Sequence, residues 1–328
     1  MAANDIGIDI GTANARVYTE GRGIILSEPS VVVYDKSSEK IRAIGEEALQ
    51  MAGRLNSNMA LIRPIRQGTI TDFTVLEKMV RYFIAKAIGP RAFWKPRITF
   101  CEPAGITEIE RKAVEEAIYQ SGARKVYFAK CTIAAAIGAG IDILKPAGNM
   151  IVDIGGGTTD AAVLSMGGIV LQHSVKVAGE SFNTSIIRYM RSRHSLFIDE
   201  TAAERIKIRI GTAVEEAVPR TMEVKGRNVL TGLPKTVILT SEEVRTAIEE
   251  PMGQIVETIH GILEKLPPEL ASDIVDRGIV LTGGGAVLRG MDKMIEDFTG
   301  VDTVTVKDAM AATVTGTGRY AAVMSQVI

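Results

Sequence analysis

Two glycine tips, each introduced by Asp-Ile, constrain this chain more than any other feature. They are Asp9-Ile10-Gly11-Thr12-Ala13-Asn14 and Asp153-Ile154-Gly155-Gly156-Gly157-Thr158-Thr159-Asp160, and 144 residues separate Asp9 from Asp153. Apolar, β-rich runs flank both (IGIDIGTANARVY and MIVDIGGGTTDAAVL), so each predicts a β-hairpin that turns on glycine. A glycine tip lets backbone N–H groups converge on an anion, and neighbouring threonine hydroxyls add donors. An aspartate at the mouth can hold a divalent cation through its waters. Two such tips can grip one polyphosphate from both sides.

At 328 residues the chain has room for two domains or one large α/β body. A net charge of −1 gives it no overall pull toward nucleic acid. Cys101 and Cys131 form no CxxC pair, and two lone cysteines suggest a reducing cytoplasm in which they serve as buried hydrophobes. No signal peptide opens the sequence, and the longest apolar stretch, 134–143, is broken by Gly138, Gly140 and Asp142, well short of the ~20 residues of a membrane span.

The chain reads as two similar halves, each starting at a glycine tip and continuing through strands and amphipathic helices. In the first half, 25–33 is strand-like, 44–55 helical, 74–88 a strongly periodic helix, 96–100 a strand, 107–120 a helix with a capping-box start, 126–128 a short strand and 133–139 a small-residue helix. The second half restarts at Asn149. It carries helices over 181–191 and 201–210, two strands within 224–240, a long helix over 241–266 ended by Pro267-Pro268, and a buried strand over 278–282. Strands alternating with helices predict an α/β architecture with helix-covered sheets.

A third glycine cluster, Gly283-Gly284-Gly285, follows that last strand and predicts a place where a base and ribose approach the backbone. Rival phosphate motifs fail. There is no GxxxxGK[ST], and Gly316-Thr317-Gly318-Arg319-Tyr320-Ala321 fits G-x-G-x-x-A without the strand before it or the acid after it. His173, His194 and His260 are scattered and read as ordinary surface or helix residues.

The tips, together with Leu281-Thr282-Gly283-Gly284-Gly285, Leu288-Arg289-Gly290 and Pro268-Glu269-Leu270-Ala271-Ser272-Asp273-Ile274, resemble the bacterial actin MreB family. So do Gly21-Arg22-Gly23-Ile24, Glu28-Pro29-Ser30-Val31-Val32, Ala60-Leu61-Ile62-Arg63-Pro64 and Ala134-Ala135-Ala136-Ile137-Gly138, and the resemblance covers essentially the whole chain. It implies an actin-like fold of two similar halves with a nucleotide cleft between them. The implied subdomains are IA (1–32, 66–145 and 314–328), IB (33–65), IIA (146–180 and 241–313) and IIB (181–240). It further implies ATP or ADP with Mg2+, and self-assembly into filaments beneath the cytoplasmic membrane that serve cell shape or wall synthesis. Gly11, Thr12, Ala13 and Asn14 would line the first phosphate loop and Gly155, Gly156, Gly157, Thr158 and Thr159 the second. Asp9 and Asp153 would stand near the metal. Glu204 and Lys207 would meet ribose and adenine, although their spacing alone predicts an i,i+3 ion pair. Gly283, Gly284 and Gly285 would receive the adenosine.

One segment departs from the family. Where the family typically reads Glu-Glu-Pro-Met-Ala-Ala-Ala-Ile-Gly, this chain reads Lys130-Cys131-Thr132-Ile133-Ala134-Ala135-Ala136-Ile137-Gly138. The resemblance assigns water orientation to the second glutamate, here Cys131, with Thr158 beside it as the other catalytic position. A neutral thiol is a weak acceptor, so hydrolysis is expected to be weak or absent unless a neighbour such as Glu102 takes over. Slow turnover would make the filament long-lived or dependent on a hydrolytically active paralogue.

Gly89-Pro90-Arg91-Ala92-Phe93-Trp94-Lys95-Pro96-Arg97 joins a helix to a strand and holds the only tryptophan. Aromatics ringed by cations suit an anionic bilayer, and family members carry an apolar pair there for that purpose, so Phe93 and Trp94 are expected to touch the membrane. The other reading is a loop folded onto its own core. Two rival functions, a non-polymerising regulatory pseudo-ATPase and a small-molecule kinase of the same superfamily, share the nucleotide site. A kinase would need a catalytic carboxylate poised over an acceptor pocket, so the lost acids and the absence of an inserted substrate domain argue against it, and a chaperone would need a further peptide-binding domain.

Overall fold

The structure, a computed structural model, describes residues 5–89, 95–103 and 106–326. The chain divides into two compact units. Unit 1 comprises 1–147, 164–170 and 310–328, and unit 2 comprises 148–163 and 171–309.

Unit 1 opens with β1 (Ile6–Ile10), β2 (Asn14–Thr19) and β3 (Gly23–Pro29) as an antiparallel meander. β4 (Val32–Asp35), β5 (Lys40–Ile44), α1 (Glu46–Met51) and β6 (Met59–Ile62) form a small lobe around Val31, Val33, Ala43 and Ala48. A two-stranded ladder, β7 (Ile65–Arg66) and β8 (Thr69–Ile70), leads into α2 (Phe73–Ile88). Asp72 caps α2 by accepting the Val75 amide at 2.9 Å, and Gly89, at φ +76°, stops it. Its buried stripe of Val75, Leu76, Met79, Val80, Phe83 and Ile84 joins the core beneath β1 and the next strand, β9 (Arg97–Glu102). α3 (Glu108–Gln120) starts on the expected capping box of Thr107 and Glu110. β10 (Lys125–Lys130) then passes without a loop into α4 (Cys131–Gly138).

Unit 2 repeats the opening. β11 (Asn149–Ile154), β12 (Thr159–Ser165) and β13 (Gly168–Val175) are a second meander, whose 164–170 turn is counted with unit 1. α5 (Gly179–His194), β14 (Leu196–Phe197), α6 (Glu200–Ile210), β15 (Thr221–Asn228) and β16 (Pro234–Thr240) follow. Next come α7 (Ser241–Leu263), α8 (Pro268–Arg277), β17 (Ile279–Thr282), α9 (Met291–Thr299) and β18 (Thr303–Thr305). Phe182, Ile186 and Met190 of α5 and Ile248, Ile255 and Ile259 of α7 pack in one core with Met150, Val152 and Ile154 of β11. The chain then returns to unit 1 through α10 (Ala309–Met324).

The two main sheets have one plan. Read from the meander, the orders are β3-β2-β1-β9-β10 and β13-β12-β11-β17-β18. In each the last two strands run parallel to the meander's first strand, through pairs such as Ile6↔Ile98 and Met150↔Ile279. The halves are similar because the same five-strand sheet is built twice.

Several boundaries differ from the sequence reading. The strand expected over 25–33 is two strands, divided after Pro29, which has no N–H to extend a ladder. The helix expected over 44–55 is only Glu46–Met51, because Ala52 turns extended (φ −56°, ψ 138°) and Gly53 takes a positive φ. α7 is capped by Thr240 through a capping box with Glu243, and the Ser241 hydroxyl accepts the Arg220 amide at 3.1 Å. The second proline of Pro267-Pro268 opens α8 as well as following α7.

Candidate functional site

Both tips are the same turn. The Gly11 amide donates to the Asn14 carbonyl at 3.0 Å, and the Gly155 amide donates to the Thr158 carbonyl at 2.8 Å. A Cβ on either glycine would press on that same carbonyl, at 3.4 Å and 3.1 Å. In unit 2 the start of α5 takes the tip's carbonyls, with the Gly179 amide on Gly155 (3.2 Å) and the Glu180 amide on Gly156 (2.7 Å). Two oxygens that would repel a phosphate are thereby committed to helix amides.

Thr158 donates its hydroxyl to Asp160 at 2.9 Å. Burial pushes the Asp160 carboxyl upward, against the hydroxyls of Ser174 and Thr158, which lower it. Thr159 differs from the expectation. It is fully buried and gives its hydroxyl to the Val177 carbonyl at 2.7 Å, so its side chain belongs to the core and not to the tip.

Glu204 and Lys207 do form the i,i+3 ion pair, at 2.7 Å, but its placement is the informative part. Lys207 also donates to the Gly179 carbonyl at 3.1 Å, and Asn183 of α5 donates to Glu204 at 2.7 Å. A Cβ at Gly179 would lie 3.2 Å from the Lys207 Nζ, 3.4 Å from the Gly155 oxygen and 3.6 Å from Gly156 Cα. The pair, the α5 N-terminus and the second tip are therefore one cluster within unit 2.

The third glycine cluster divides in two. A Cβ at Gly283, at φ +88°, would stand 2.5 Å from Asp153 Oδ1 and 2.6 Å from the Ile154 carbonyl carbon. One at Gly285 would stand 3.1 Å from the Ile154 oxygen. These two glycines let the 283–285 turn press against β11. Gly284 alone has nothing within 4 Å of its would-be Cβ.

In unit 1, Asp9 sits at the end of β1, and burial pushes its carboxyl up to about 6 against the lowering effects of Arg16 and of a hydrogen bond from Cys101. Thr12 is buried, and its Oγ1 accepts the Gly68 amide at 3.4 Å, fastening the first tip to the β7–β8 turn. The Ala13 carbonyl accepts the Ser30 amide at 3.0 Å. Cys131, the first residue of α4, has its sulfur 2.6 Å from that of Cys101. Cys101 is buried as expected, whereas Cys131 is partly exposed. The Glu102 carboxylate lies 3.8 Å from Arg111, and its backbone oxygen accepts the Cys131 thiol at 3.3 Å. The Asp9–Cys101–Cys131 run thus joins the expected metal position to the departing segment. Phe93 and Trp94 lie outside the described residues.

Sequence reasoning missed the role of Gly316 and Gly318. Both are packing residues of α10. A Cβ at Gly318 would stand 2.9 Å from the Tyr18 ring, and one at Gly316 would stand 2.6 Å from the Gly138 amide nitrogen of α4.

The chain matches the family model of the MreB/Mbl protein over residues 3–328. It is 46% identical over 318 residues to the cell shape-determining protein Mbl of Bacillus cereus, covering 97% of this chain and 96% of that one. With the cell shape-determining protein MreB of Escherichia coli strain K12 it shares 44% over 325 residues, 97% of this chain and 93% of that one. The crystal structure of MreB5 of Spiroplasma citri bound to AMPPNP matches it with a TM-score of 0.92 at 33% identity, over 99% of this chain and 98% of that one. The MamK double helical filament subunit, at 22% identity, shares the fold with a TM-score of 0.80 over 97% and 98% of the two chains. The fold is actin-like, and with a duplicated five-strand sheet and a family match from residue 3 to residue 328, this chain belongs to the MreB/Mbl family.

Proposed function

We propose that this chain is an ATP-binding cytoskeletal subunit that assembles into filaments at the inner face of the cytoplasmic membrane and serves cell shape or wall synthesis. The observation that carries the reading is the duplicated tip, one Gly-to-carbonyl turn in each unit, with Lys207 and the α5 N-terminus beside the second. Relatives named for cell-shape determination, and an MreB5 bound to AMPPNP or ADP, support it.

The donor chemistry fits Mg2+. Asp9 and Asp153 each offer hard carboxylate oxygens. Such a set suits a cation that keeps its waters and shares phosphate oxygens. Bound there, Mg2+ would neutralise charge on the phosphates.

Within the proposal each residue has a task. The tip amides and the Thr158 hydroxyl meet phosphate oxygens, Glu204 and Lys207 face the nucleoside, and Gly284 leaves it room. Hydrolysis is weak because Cys131 offers a thiol where the family has a carboxylate, and the nearby Glu102 carboxylate faces Arg111. Phosphate release near background, rising at least about tenfold in Cys131→Glu, is the expected result. Equal rates in the two proteins would refute this account of the site. Filament formation is tested by sedimentation with ATP, ADP or AMPPNP, with and without anionic liposomes. Polymer under none of these conditions sinks the filament reading and favours a nucleotide-gated regulatory subunit. For the membrane, Phe93→Ser with Trp94→Ser is expected to abolish liposome co-sedimentation and leave ATP binding intact. Unchanged co-sedimentation would remove the loop as the anchor.

A further inference from the structure

The chain has two cysteines, and the parallel pairing of β9 and β10 brings them together. Cys101 lies one residue before the end of β9 and stands opposite Ala129 of β10. β10 ends at Lys130, and the chain turns at once into α4, whose first residue is Cys131. The two sulfurs are 2.6 Å apart, inside van der Waals separation and within about 0.6 Å of the length of an S–S bond. The Cys131 thiol also reaches the Glu102 carbonyl at 3.3 Å, which holds it over the end of β9.

α4 is itself fixed in place. A Cβ at Gly138 would stand 2.6 Å from the Ala312 carbonyl carbon of α10, so the two helices cross with backbone against backbone. The first turn of α4 has little freedom to carry its sulfur away. Exposure separates the roles of the two residues, since Cys101 is 1% exposed and Cys131 partly exposed.

We propose that Cys101 and Cys131 form a reversible intramolecular disulfide, making the junction of β9 and α4 a thiol–disulfide site. The oxidant is a low-molecular-weight disulfide. The sulfur of Cys131, the partly exposed residue of the two, attacks one of its sulfurs, breaking that S–S bond and releasing one small thiol. Cys101 then attacks the Cys131 sulfur of the mixed disulfide and releases the second small thiol. The protein loses two electrons and two protons, and the small disulfide gains both. A thiol reductant reverses the steps. In the oxidised chain neither sulfur has a hydrogen to give to Asp9 or to the Glu102 carbonyl, and the end of β9 is tied to the position where the family carries its water-orienting glutamate. The bridge depends on no nucleotide, so its test is separate from that of the proposed function.

The test treats the folded full chain with oxidised glutathione, alkylates the remaining thiols after denaturation and weighs the protein. The expected wild-type product has no alkylated thiol and a mass lower by two hydrogens, and dithiothreitol restores both thiols. Cys101→Ser, which keeps the attacking sulfur, is expected to retain a stable glutathione adduct on Cys131. The proposal is overturned if the wild-type chain keeps two alkylatable thiols, stops at a glutathione adduct, or forms disulfide-linked dimers on a non-reducing gel in place of the internal bridge.

Discussion

Replacing Gly316 by alanine adds one methyl group where α10 crosses α4 backbone to backbone. Its Cβ would stand 2.6 Å from the Gly138 nitrogen, 2.7 Å from the Ala134 carbonyl carbon, and closer still to that carbonyl's oxygen. Real Cβ contacts essentially never fall below 3.0 Å, and every obstructing atom here is backbone, so no rotamer change relieves the clash. α10 must retreat from α4 by roughly 1 Å, opening a close-packed interface. Overpacking of this kind costs up to ~3 kcal/mol. Removing a glycine from a helix interior offsets about 1 kcal/mol of that. The net loss is about 2 kcal/mol, which lowers the melting temperature by roughly 4–8 °C for a body of this size. Gly253→Ala in α7 is the control, since nothing lies within 4 Å of its would-be Cβ. It is expected to stabilise by ~0.5–1 kcal/mol, an opposite sign for the same chemical change. Gly138→Ala meets the same crossing from the other side, so the double variant should cost less than the sum of the singles. Thermal melting by circular dichroism compares the four variants with the wild type. If Gly316→Ala melts with or above the wild type, the close crossing of α4 and α10 is wrong.

Other substitutions probe the site and its supports. Asp9 is raised to about 6 from 3.8, so the folded chain binds more protons than the unfolded one across that window, and stability falls as pH rises through it. Asp9→Asn should therefore stabilise the nucleotide-free protein at pH 8 by on the order of 3 kcal/mol while weakening Mg2+-dependent ATP binding; a lower urea midpoint for the variant would reverse the argument. Gly284→Ala should weaken nucleotide binding and leave the melting temperature within about 2 °C of wild type. Gly285→Ala should lower stability, because its Cβ meets Ile154; equal melting temperatures for the two variants would contradict the division of the 283–285 turn. Thr240→Ala removes the α7 capping box and should cost ~1 kcal/mol in urea unfolding, whereas no change would mean that the cap is already replaced by solvent.

The tips were legible in the sequence because a hairpin turn is local. Aspartate, glycine and threonine in fixed order between two β-rich runs specify it without help from distant residues. α2 and α3 were legible for a similar reason, through periodicity and, in α3, a capping pair. Features that depend on remote partners were not. The Cys101–Cys131 contact exists because β9 and β10 pair in a particular register, and nothing within either strand announces that register. α10 was obscured by Gly316 and Gly318, which lower helix propensity locally and are present because α4 and Tyr18 come too close for side chains. At Thr159 the residue type suggested a phosphate donor, and only the fold shows its hydroxyl given to Val177. The glycines at 283 and 285 carried a true signal of close approach, but the approaching surface is the chain's own β11.

The return of α10 to unit 1 has a consequence for synthesis. A Cβ on Gly7 of β1 would stand 2.6 Å from Cα of Gly318 in α10, so the first strand is finished by a helix made 311 residues later. At the usual pace of translation that interval is roughly 15 to 60 seconds. All of unit 2 leaves the ribosome within it, so the second-made unit can fold first. The first-made sheet meanwhile waits with the face that carries Gly7 and Tyr18 not yet covered by α10, and uncovered apolar surface in a nascent chain is what invites aggregation.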